Sequence, residues 1–334
     1  MTKRTDIREW AREHVTGVAN VTLPSFTSDL AGLDEAAIRH DIRRHVENGF
    51  TGTLMVGEVV LRQFEYDRFL EIAVDEAAGR LHLIHHACFD TPDENARTAD
   101  VGAALGMRLS LLTYPAWLYA EDEQQIYAYT KAFCDRTSLG VILFPVPLWN
   151  FTRVHPAGLS ADLIERLIDD CPNVCAIKAE GGYPSPMGFV ECYRRFSERV
   201  IVTNPLETDI LALAQIAPVQ FMGTSNSEYF GNAVPRLFDM VRQGRLAEAT
   251  ELYWKVDPAR RANALVSATW AGTGLVSRLQ WKYQAWLSGY SGGPLRQPTM
   301  RLKDSAMSQL RSGLVASGLP VTSLHDRDFF AGLR

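Results

Sequence analysis

The chain has 334 residues, of which 46% are hydrophobic and 22% are charged, and its formal net charge is -5. This length accommodates one α/β barrel of roughly 250 residues with additions. The mildly acidic balance, without a Lys/Arg-rich run, gives no electrostatic reason to expect a nucleic acid or a membrane as partner, so a small molecule is the expected partner.

The amino-terminal stretch 1–18 carries charges throughout and lacks the apolar core of a signal peptide. No later window approaches the roughly 18 apolar residues of a membrane helix, so a soluble, cytoplasmic protein is expected. The cysteines form no C-x-x-C pair, and no histidine stands at zinc-finger spacing, so they are interpreted as reduced, mostly buried thiols.

Short apolar runs recur along the chain at intervals of roughly 25 to 35 residues. Most end in Gly or Pro and are too short for typical helices, so they are predicted to be strands buried on both faces. The eight predicted strands are 17–26, 52–57, 81–88, 108–115, 140–147, 174–180, 200–205 and 219–225.

Stretches of helical period lie between these runs, such as 33–49 and 159–170, the second opened by Ser160 as a predicted N-cap. Parallel strands need crossovers long enough to hold a helix, so this repeated alternation predicts a (β/α)8 TIM barrel. A doubly wound open sheet is the alternative, but no G-x-G-x-x-G follows the first strand and no phosphate-binding P-loop occurs.

The pattern changes near residue 226, after which it is helical. Residues 1–226 are predicted to hold the barrel strands and helices. Residues 227–334 are predicted to form the last barrel helix and a C-terminal helical extension packed on the barrel, in a single domain overall. The segment 291–298, "SGGPLRQP", is predicted to be a loop.

Lys178 lies at the end of the sixth predicted strand, where barrels carry their functional side chains. Alternation puts Val174, Ala176 and Lys178 on one face, and a lysine in the barrel interior is costly unless it is neutral or paired. Burial favours the uncharged amine, the nucleophile that forms a Schiff base with a 2-oxo acid. The alternative is a lysine that extends from the strand end into solvent.

Three longer stretches share a pattern with known enzymes. They are "NVCAIKAEGG" (173–182), "LDEAAIRHDIRRHVENGFTGTLMVGE" (33–58) and "FMGTSNSEYFGNAVPRLFDMVRQGRLAEATELYWKVDP" (221–258). They resemble, respectively, the Schiff-base strand, the first helix with the second strand, and the eighth strand with the following helix pair of the dihydrodipicolinate synthase and N-acetylneuraminate lyase family. That family consists of class I aldolases and dehydratases on an eightfold barrel.

The resemblance implies that Lys178 forms the imine. It also implies that the substrate carboxylate lies near Gly57 and near Gly223, Thr224 and Ser225 of the loop after strand 8. No cofactor is expected, and the resemblance implies no metal. A homodimer or homotetramer is expected by resemblance alone.

Two departures separate this chain from the family pattern. Where the family carries a tyrosine that relays protons at the end of strand 5, "GVILFPVP" places Phe144, which has no proton to donate or accept. The threonine-containing loop after strand 2 is represented by "VGEVV" alone. These changes argue against a role in lysine biosynthesis and leave the proton-transfer residue unassigned.

Several residues are candidates for that proton transfer, each with an alternative interpretation. Glu58, if desolvated, suits acid/base work, or it is a solvated loop carboxylate. Tyr114 and Tyr119 follow strand 4, and either phenol is a substitute for the missing one, or both simply pack at the surface.

The remaining candidates concern substrate binding. Asn204 either hydrogen-bonds a substrate hydroxyl or closes a turn before Pro205. Trp117 and Trp149 form flat walls suited to an aromatic substrate, or they fill space in their loops. His82, His85 and His86 suggest a metal site, but no carboxylate stands at a matching spacing, so core packing is favoured.

The leading hypothesis is therefore a Schiff-base lyase, either an aldolase or a dehydratase, that acts through Lys178 on pyruvate or another 2-oxo acid. One alternative is a hydratase-aldolase with an aromatic, arylidene pyruvate-like substrate. The other is a barrel without catalysis that binds a keto acid, which the missing tyrosine and threonines favour.

Overall fold

The computed structural model describes residues 6–59, 61–179, 187–270, 273, 276–299 and 301–332. Within these residues, the strands are β1 Gly17–Thr22, β2 Gly52–Met55, β3 His82–Ala87, β4 Leu109–Leu112, β5 Gly140–Leu143, β6 Val174–Lys178, β7 Ile201–Thr203 and β8 Phe221–Met222. Every one lies inside a predicted strand, so the eight strand predictions are confirmed. The observed strands are shorter because each apolar run continues into the loop that follows it.

Helices separate the strands and fill the carboxy-terminal part of the chain. Over the described residues, the α-helices are α1 Asp6–His14, α2 Glu35–Glu47, α3 Gln63–Ala77, α4 Pro92–Ala104, α5 Glu123–Arg136, α6 Ala161–Asp170, α7 Met187–Phe196, α8 Ile210–Leu213, α9 Ala233–Arg242, α10 Leu246–Lys255, α11 Asp257–Ala268, α12 Arg278–Leu287 and α13 Asp304–Ala316. Short 3-10 helices occur at Pro147–Trp149, Phe151–Arg153, Glu228–Phe230 and Asp326–Ala331. The predicted N-cap is confirmed, because the Ser160 hydroxyl accepts a hydrogen bond from the Leu163 N–H at the start of α6.

The strands form one sheet in the order β7-β6-β5-β4-β3-β2-β1-β8. Each strand neighbours the next in sequence, and β1 pairs in parallel with β8. This is the strand order of a (β/α)8 barrel, and the predicted fold class is confirmed. The helices after residue 226 and the loop at 291–298 are also confirmed. None of the described helices is long and apolar enough to cross a membrane.

The residues group into two compact units. The first contains Met1–Ala19 and His82–Ser225, and the second contains Asn20–Leu81 and Asn226–Arg334. The predicted division at residue 226 of a single domain stays a prediction.

In the first unit, an arginine of α1 fixes the start of β6. The Arg8 guanidinium donates hydrogen bonds to the carbonyl oxygens of Val174 at 2.8 Å, Ile168 at 2.6 Å and Cys171 at 2.9 Å. The last two carbonyls belong to the end of α6, where helix carbonyls lack partners within the helix. One side chain therefore supplies hydrogen bonds to the carbonyl groups of the segment that leads into the strand ending at Lys178.

In the second unit, buried polar groups surround a small cavity of about 20 Å³, room for about one water molecule. Its lining includes Asp41, His45, Glu228, Lys282 and Tyr290. The Lys282 ammonium donates to the Pro24 carbonyl oxygen at 3.1 Å and to Ser25 Oγ at 2.8 Å. Burial lowers the pKa of Lys282 to about 8, although Asp41 opposes that shift.

Glu228 is a buried carboxyl in the lining of this cavity. Its Oε2 has no hydrogen-bond partner among the described residues. Burial raises the pKa of Glu228 to about 8, and the Asp41 carboxylate adds to the rise. The folded protein therefore keeps a proton on Glu228 that the unfolded chain loses near its ordinary value of 4.5.

We predict that Glu228→Gln flattens the fall in stability with rising pH. The raised pKa stabilises the fold fully below about pH 4.5, and this contribution is lost as the pH rises through about 8. Denaturant titrations between pH 5 and 9 should show the wild-type free energy of unfolding falling relative to that of the variant, by on the order of 3 kcal/mol over the window.

The control for this experiment is Glu251→Gln, at an exposed glutamate of α10. The free energy of unfolding of this control variant should change with pH in parallel with that of the wild type. Parallel curves for the wild type and Glu228→Gln would contradict the prediction.

Candidate active site

Lys178 is the last residue of β6, and its side chain is 5% exposed. All five residues of β6 are buried, and Lys178 is in register with Thr203 at the end of β7. The side chain therefore does not extend into solvent, which was the alternative interpretation. Glu180, Gly181 and Gly182, which complete the sequence motif, lie outside the described residues.

Phe144 follows β5 directly and contacts Lys178. The Lys178 Nζ lies 3.7 Å from the centroid of the Phe144 ring, over its face. Trp149 meets that ring edge to face, with 5.6 Å between centroids, and donates its indole N–H to the Phe144 carbonyl oxygen at 2.7 Å. The amine thus rests on an aromatic surface that a second aromatic residue holds in place.

The loop after β8 presents a hydroxyl and backbone groups. The Gly223 N–H donates to Thr203 Oγ1 at 3.3 Å, and that hydroxyl donates to the Phe221 carbonyl oxygen at 2.6 Å. Thr224 is buried, and its Oγ1 has no hydrogen-bond partner among the described residues. A buried hydroxyl without a partner is a suitable group to bind a substrate oxygen.

The two tyrosines of the loop after β4 lie in different environments. Tyr114 is buried, shares a 2.7 Å hydrogen bond with Thr130 of α5, and has its pKa raised by burial. Tyr119 is 65% exposed, and the Arg153 guanidinium carbon lies 3.5 Å from its ring centroid. Of the two phenols, Tyr119 is the one accessible to a substrate.

Trp117 of the same loop is 58% exposed, and its indole N–H donates to the Asp90 carbonyl oxygen at 2.6 Å. The ring also packs edge to face on Tyr129. A large aromatic surface that is held in place yet open to solvent is able to contact a ligand.

Asn204 has both ends of its amide occupied within its own loop. Its Oδ1 accepts from the Leu206 N–H at 2.7 Å, and its Nδ2 donates to Asp209 Oδ2 at 3.2 Å. These bonds form the turn after β7, which was the alternative to substrate binding.

Gly57 and Glu58 belong to the second unit. The Gly57 carbonyl oxygen accepts from the Val59 N–H at 2.9 Å. Glu58 forms an ion pair with Arg278 of α12. The Glu58 carboxylate therefore pairs with a cation. Neither of the two sequence-based interpretations of Glu58 included such a partner.

The histidines of β3 do not form a metal site in the described part of the chain, where no group of three or more potential ligands occurs. His85 is buried, and its ring nitrogens bond Ser110 Oγ at 2.8 Å and Thr98 Oγ1 at 3.0 Å. Burial lowers the pKa of His85 to about 3. It is a core histidine, as favoured from the sequence.

Sequence reasoning missed Thr203 and Arg153. Thr203 ends β7 beside Lys178 in the sheet register, and a threonine at the end of a predicted barrel strand was a usable signal. Arg153 lies in a loop rich in aromatic residues, and its Nη2 donates to the Ala120 carbonyl oxygen at 2.6 Å. No spacing in the sequence indicates that contact.

A buried lysine at the end of a strand in a (β/α)8 barrel is the arrangement expected of a Schiff-base enzyme. A model of the dihydrodipicolinate synthetase family matches residues 14–316, so the chain belongs to that family. Its members are class I lyases and dehydratases that act on keto acids. The protein is therefore an enzyme of this group.

Individual relatives have low sequence identity to this chain. A probable 5-dehydro-4-deoxyglucarate dehydratase of Ralstonia nicotianae is 28% identical over 92% of this chain and 94% of its own. An uncharacterized DapA-like lyase of Pyrobaculum arsenaticum is 26% identical over 91% and 98%. Among solved structures, dihydrodipicolinate synthase from Aquifex aeolicus shares the fold with a TM-score of 0.78 at 19% identity, over 92% of this chain and 100% of that one.

We predict that Gly223→Ala destabilises the protein, because a Cβ at this position would lie 2.8 Å from Ala19 Cβ and 3.0 Å from the Ala19 carbonyl oxygen. Such overpacking costs about 1–3 kcal/mol of unfolding free energy, to be measured by urea denaturation. Gly32→Ala is the control, since a Cβ there meets nothing within 4 Å. If Gly223→Ala is as stable as Gly32→Ala, the loop accommodates a Cβ at position 223 and the prediction is wrong.

Proposed function

We propose that this protein is a Schiff-base dehydratase or aldolase in which the Lys178 amine attacks the carbonyl of pyruvate or another 2-oxo acid. The observation that carries the proposal is the position of Lys178, buried at the end of β6 with its Nζ over the face of Phe144. An amine taken out of water is a better nucleophile than a hydrated ammonium, because desolvation disfavours the charged form.

The imine withdraws electrons from the adjacent carbon, and this determines the order of the steps. The amine adds to the ketone carbon, and loss of water leaves a protonated imine. A proton then leaves the adjacent carbon, and the electrons of that C–H bond form an enamine. In a dehydratase, the enamine expels a hydroxyl group from the next carbon as water, and hydrolysis of the imine returns the free lysine.

The loop after β8 is the proposed site for the substrate carboxylate. Support comes from the Thr224 hydroxyl, which is buried without a partner among the described residues. Gly223 and Ser225 flank it in the chain. A carboxylate accepts hydrogen bonds from such groups, and these bonds hold the ketone at a fixed distance from the amine.

The relatives favour dehydration over condensation as the reaction of this chain. The relative at 28% identity is named a dehydratase of a deoxy-keto sugar acid. By that likeness, we propose a hydroxylated 2-oxo acid as substrate. The phenylalanine at position 144 also argues against lysine biosynthesis, where the family pattern carries the tyrosine.

The proton-transfer group is proposed among the accessible residues. Tyr114 is disfavoured, since its hydroxyl is bonded to Thr130 and burial raises its pKa. Tyr119 has an exposed phenol beside the Arg153 guanidinium. Glu58 pairs with Arg278 in the second unit, and its role in acid/base chemistry stays a prediction from the sequence.

An aromatic substrate is the second candidate, and the exposed rings of Trp117 and Tyr119 favour it. Assays of the purified enzyme with a hydroxylated 2-oxo acid and with an arylidene pyruvate decide between the two, by formation of the dehydrated acid or of an aromatic aldehyde. A cytoplasmic location and a homodimer or homotetramer stay predictions.

We predict that incubation with pyruvate and borohydride adds one reduced pyruvate to the protein, and that Lys178→Ala abolishes this adduct. Intact-mass spectrometry measures the adduct directly. Lys255→Ala, at an exposed lysine of α10, is the control and should retain it.

The interpretation of a missing adduct depends on the substrates tried. If neither pyruvate nor a panel of hydroxylated 2-oxo acids yields an adduct on the wild-type protein, the proposed mechanism is wrong. An adduct that persists in Lys178→Ala would move the chemistry to another lysine.

A further inference from the structure

Phe144 stands where the family pattern has its proton-relaying phenol, yet its ring contacts the amine itself. The Lys178 Nζ lies 3.7 Å from the ring centroid, well inside the roughly 6 Å over which a cation is attracted to an aromatic face. Both side chains are buried, and exclusion of water strengthens such an attraction.

We propose that the Phe144 ring stabilises positive charge on the Lys178 nitrogen, first on the ammonium and then on the protonated imine. This inference rests on the proposed function. It assigns Phe144 an electrostatic role in the reaction, in place of the proton transfer that the tyrosine performs in the family pattern.

The positive charge lies on the Lys178 nitrogen both before and after the imine forms. The free lysine is cationic when protonated, and condensation with the ketone leaves the positive charge at the same nitrogen. The face of an aromatic ring carries negative potential, so a ring that attracts the ammonium also attracts the protonated imine. The protonated imine is the electron sink on which the next step depends, and its stabilisation needs no proton from the ring.

The contact with the amine uses the ring face, where the Lys178 nitrogen lies 3.7 Å from the centroid. The hydroxyl of a tyrosine would project from the ring edge, so the contact of the nitrogen with the ring face does not depend on a hydroxyl.

Trp149 is the positioning residue for the ring. Its indole N–H bonds the Phe144 carbonyl oxygen at 2.7 Å, and its ring stands at 83° to the Phe144 ring. Tyr114 packs on Trp149 from another side, with 5.9 Å between centroids. These contacts limit rotation of the Phe144 ring and keep its face toward the amine.

The test is the pH dependence of imine formation in Phe144→Leu, followed as the rate of borohydride trapping with pyruvate between pH 6 and 10. Leucine keeps an apolar side chain but removes the ring face. The ammonium loses a stabilising contact, so the pKa of Lys178 should fall, and the midpoint of the pH–rate curve should move down by roughly half a unit to one unit. Phe144→Tyr keeps the ring and should keep the midpoint.

Two further variants complete the experiment. Trp149→Phe should move the midpoint in the same direction by a smaller amount, because it loosens the ring without removing it. Phe189→Leu, at a fully buried ring of α7 that stacks on Tyr193, is the control for loss of packing and should leave the midpoint unchanged. Phe144→Met is the substitute if the leucine variant does not fold.

The outcomes separate this inference from the proposed function. A wild-type protein that forms no imine with pyruvate or with a panel of hydroxylated 2-oxo acids defeats the proposed function itself. A wild-type protein that forms the imine, together with a Phe144→Leu midpoint that is unchanged or higher, overturns the role of the ring and leaves Lys178 chemistry intact. A phenylalanine that only fills space predicts this second result.

Discussion

The placement of a lysine amine inside the protein is the constraint around which this structure is organised. Lys178 ends a strand with five buried residues, so its nitrogen is removed from water by the same hydrophobic packing that forms the sheet. Burying an ionisable amine is costly unless something nearby compensates for the lost hydration. The residues around the candidate site are best understood as that compensation.

Two lysines are buried in the described part of the chain, and different groups contact them. Lys282, in the second unit, is held by the Pro24 carbonyl, the Ser25 hydroxyl and the charge of Asp41, which are groups that keep an ammonium charged and fixed. Lys178 has its Nζ over the face of the Phe144 ring, an aromatic contact that attracts positive charge without a fixed acceptor atom.

Much of the fold was predictable from the sequence. The eight strands are apolar on both faces, and each is separated from the next by a helical pattern, so hydrophobic periodicity alone predicted their number and positions. Strand ends were less accurate, because apolar residues such as Phe144 and Val146 continue beyond the last paired residue and belong to loops that are also buried.

The site was only partly predictable. A lysine ending a buried strand is visible in the sequence, and so is a phenylalanine where the family resemblance predicts a tyrosine. The contact of Nζ with the ring face, the ion pair of Glu58 with Arg278 and the turn bonds of Asn204 depend on side-chain conformations and on residues distant along the chain. Local patterns carry no information about such contacts, so the sequence left two interpretations open for Glu58 and for Asn204, and their roles toward a substrate stay predictions.

The hydrogen bonds of Arg8 have a consequence for how this enzyme tolerates change. One guanidinium near the amino end of the chain bonds three carbonyl oxygens at the entrance to β6, 160 to 166 positions away. The start of β6 therefore depends on a helix that precedes the first strand of the barrel. Trimming or replacing this helix would remove three hydrogen bonds from the segment that leads into the strand ending at Lys178.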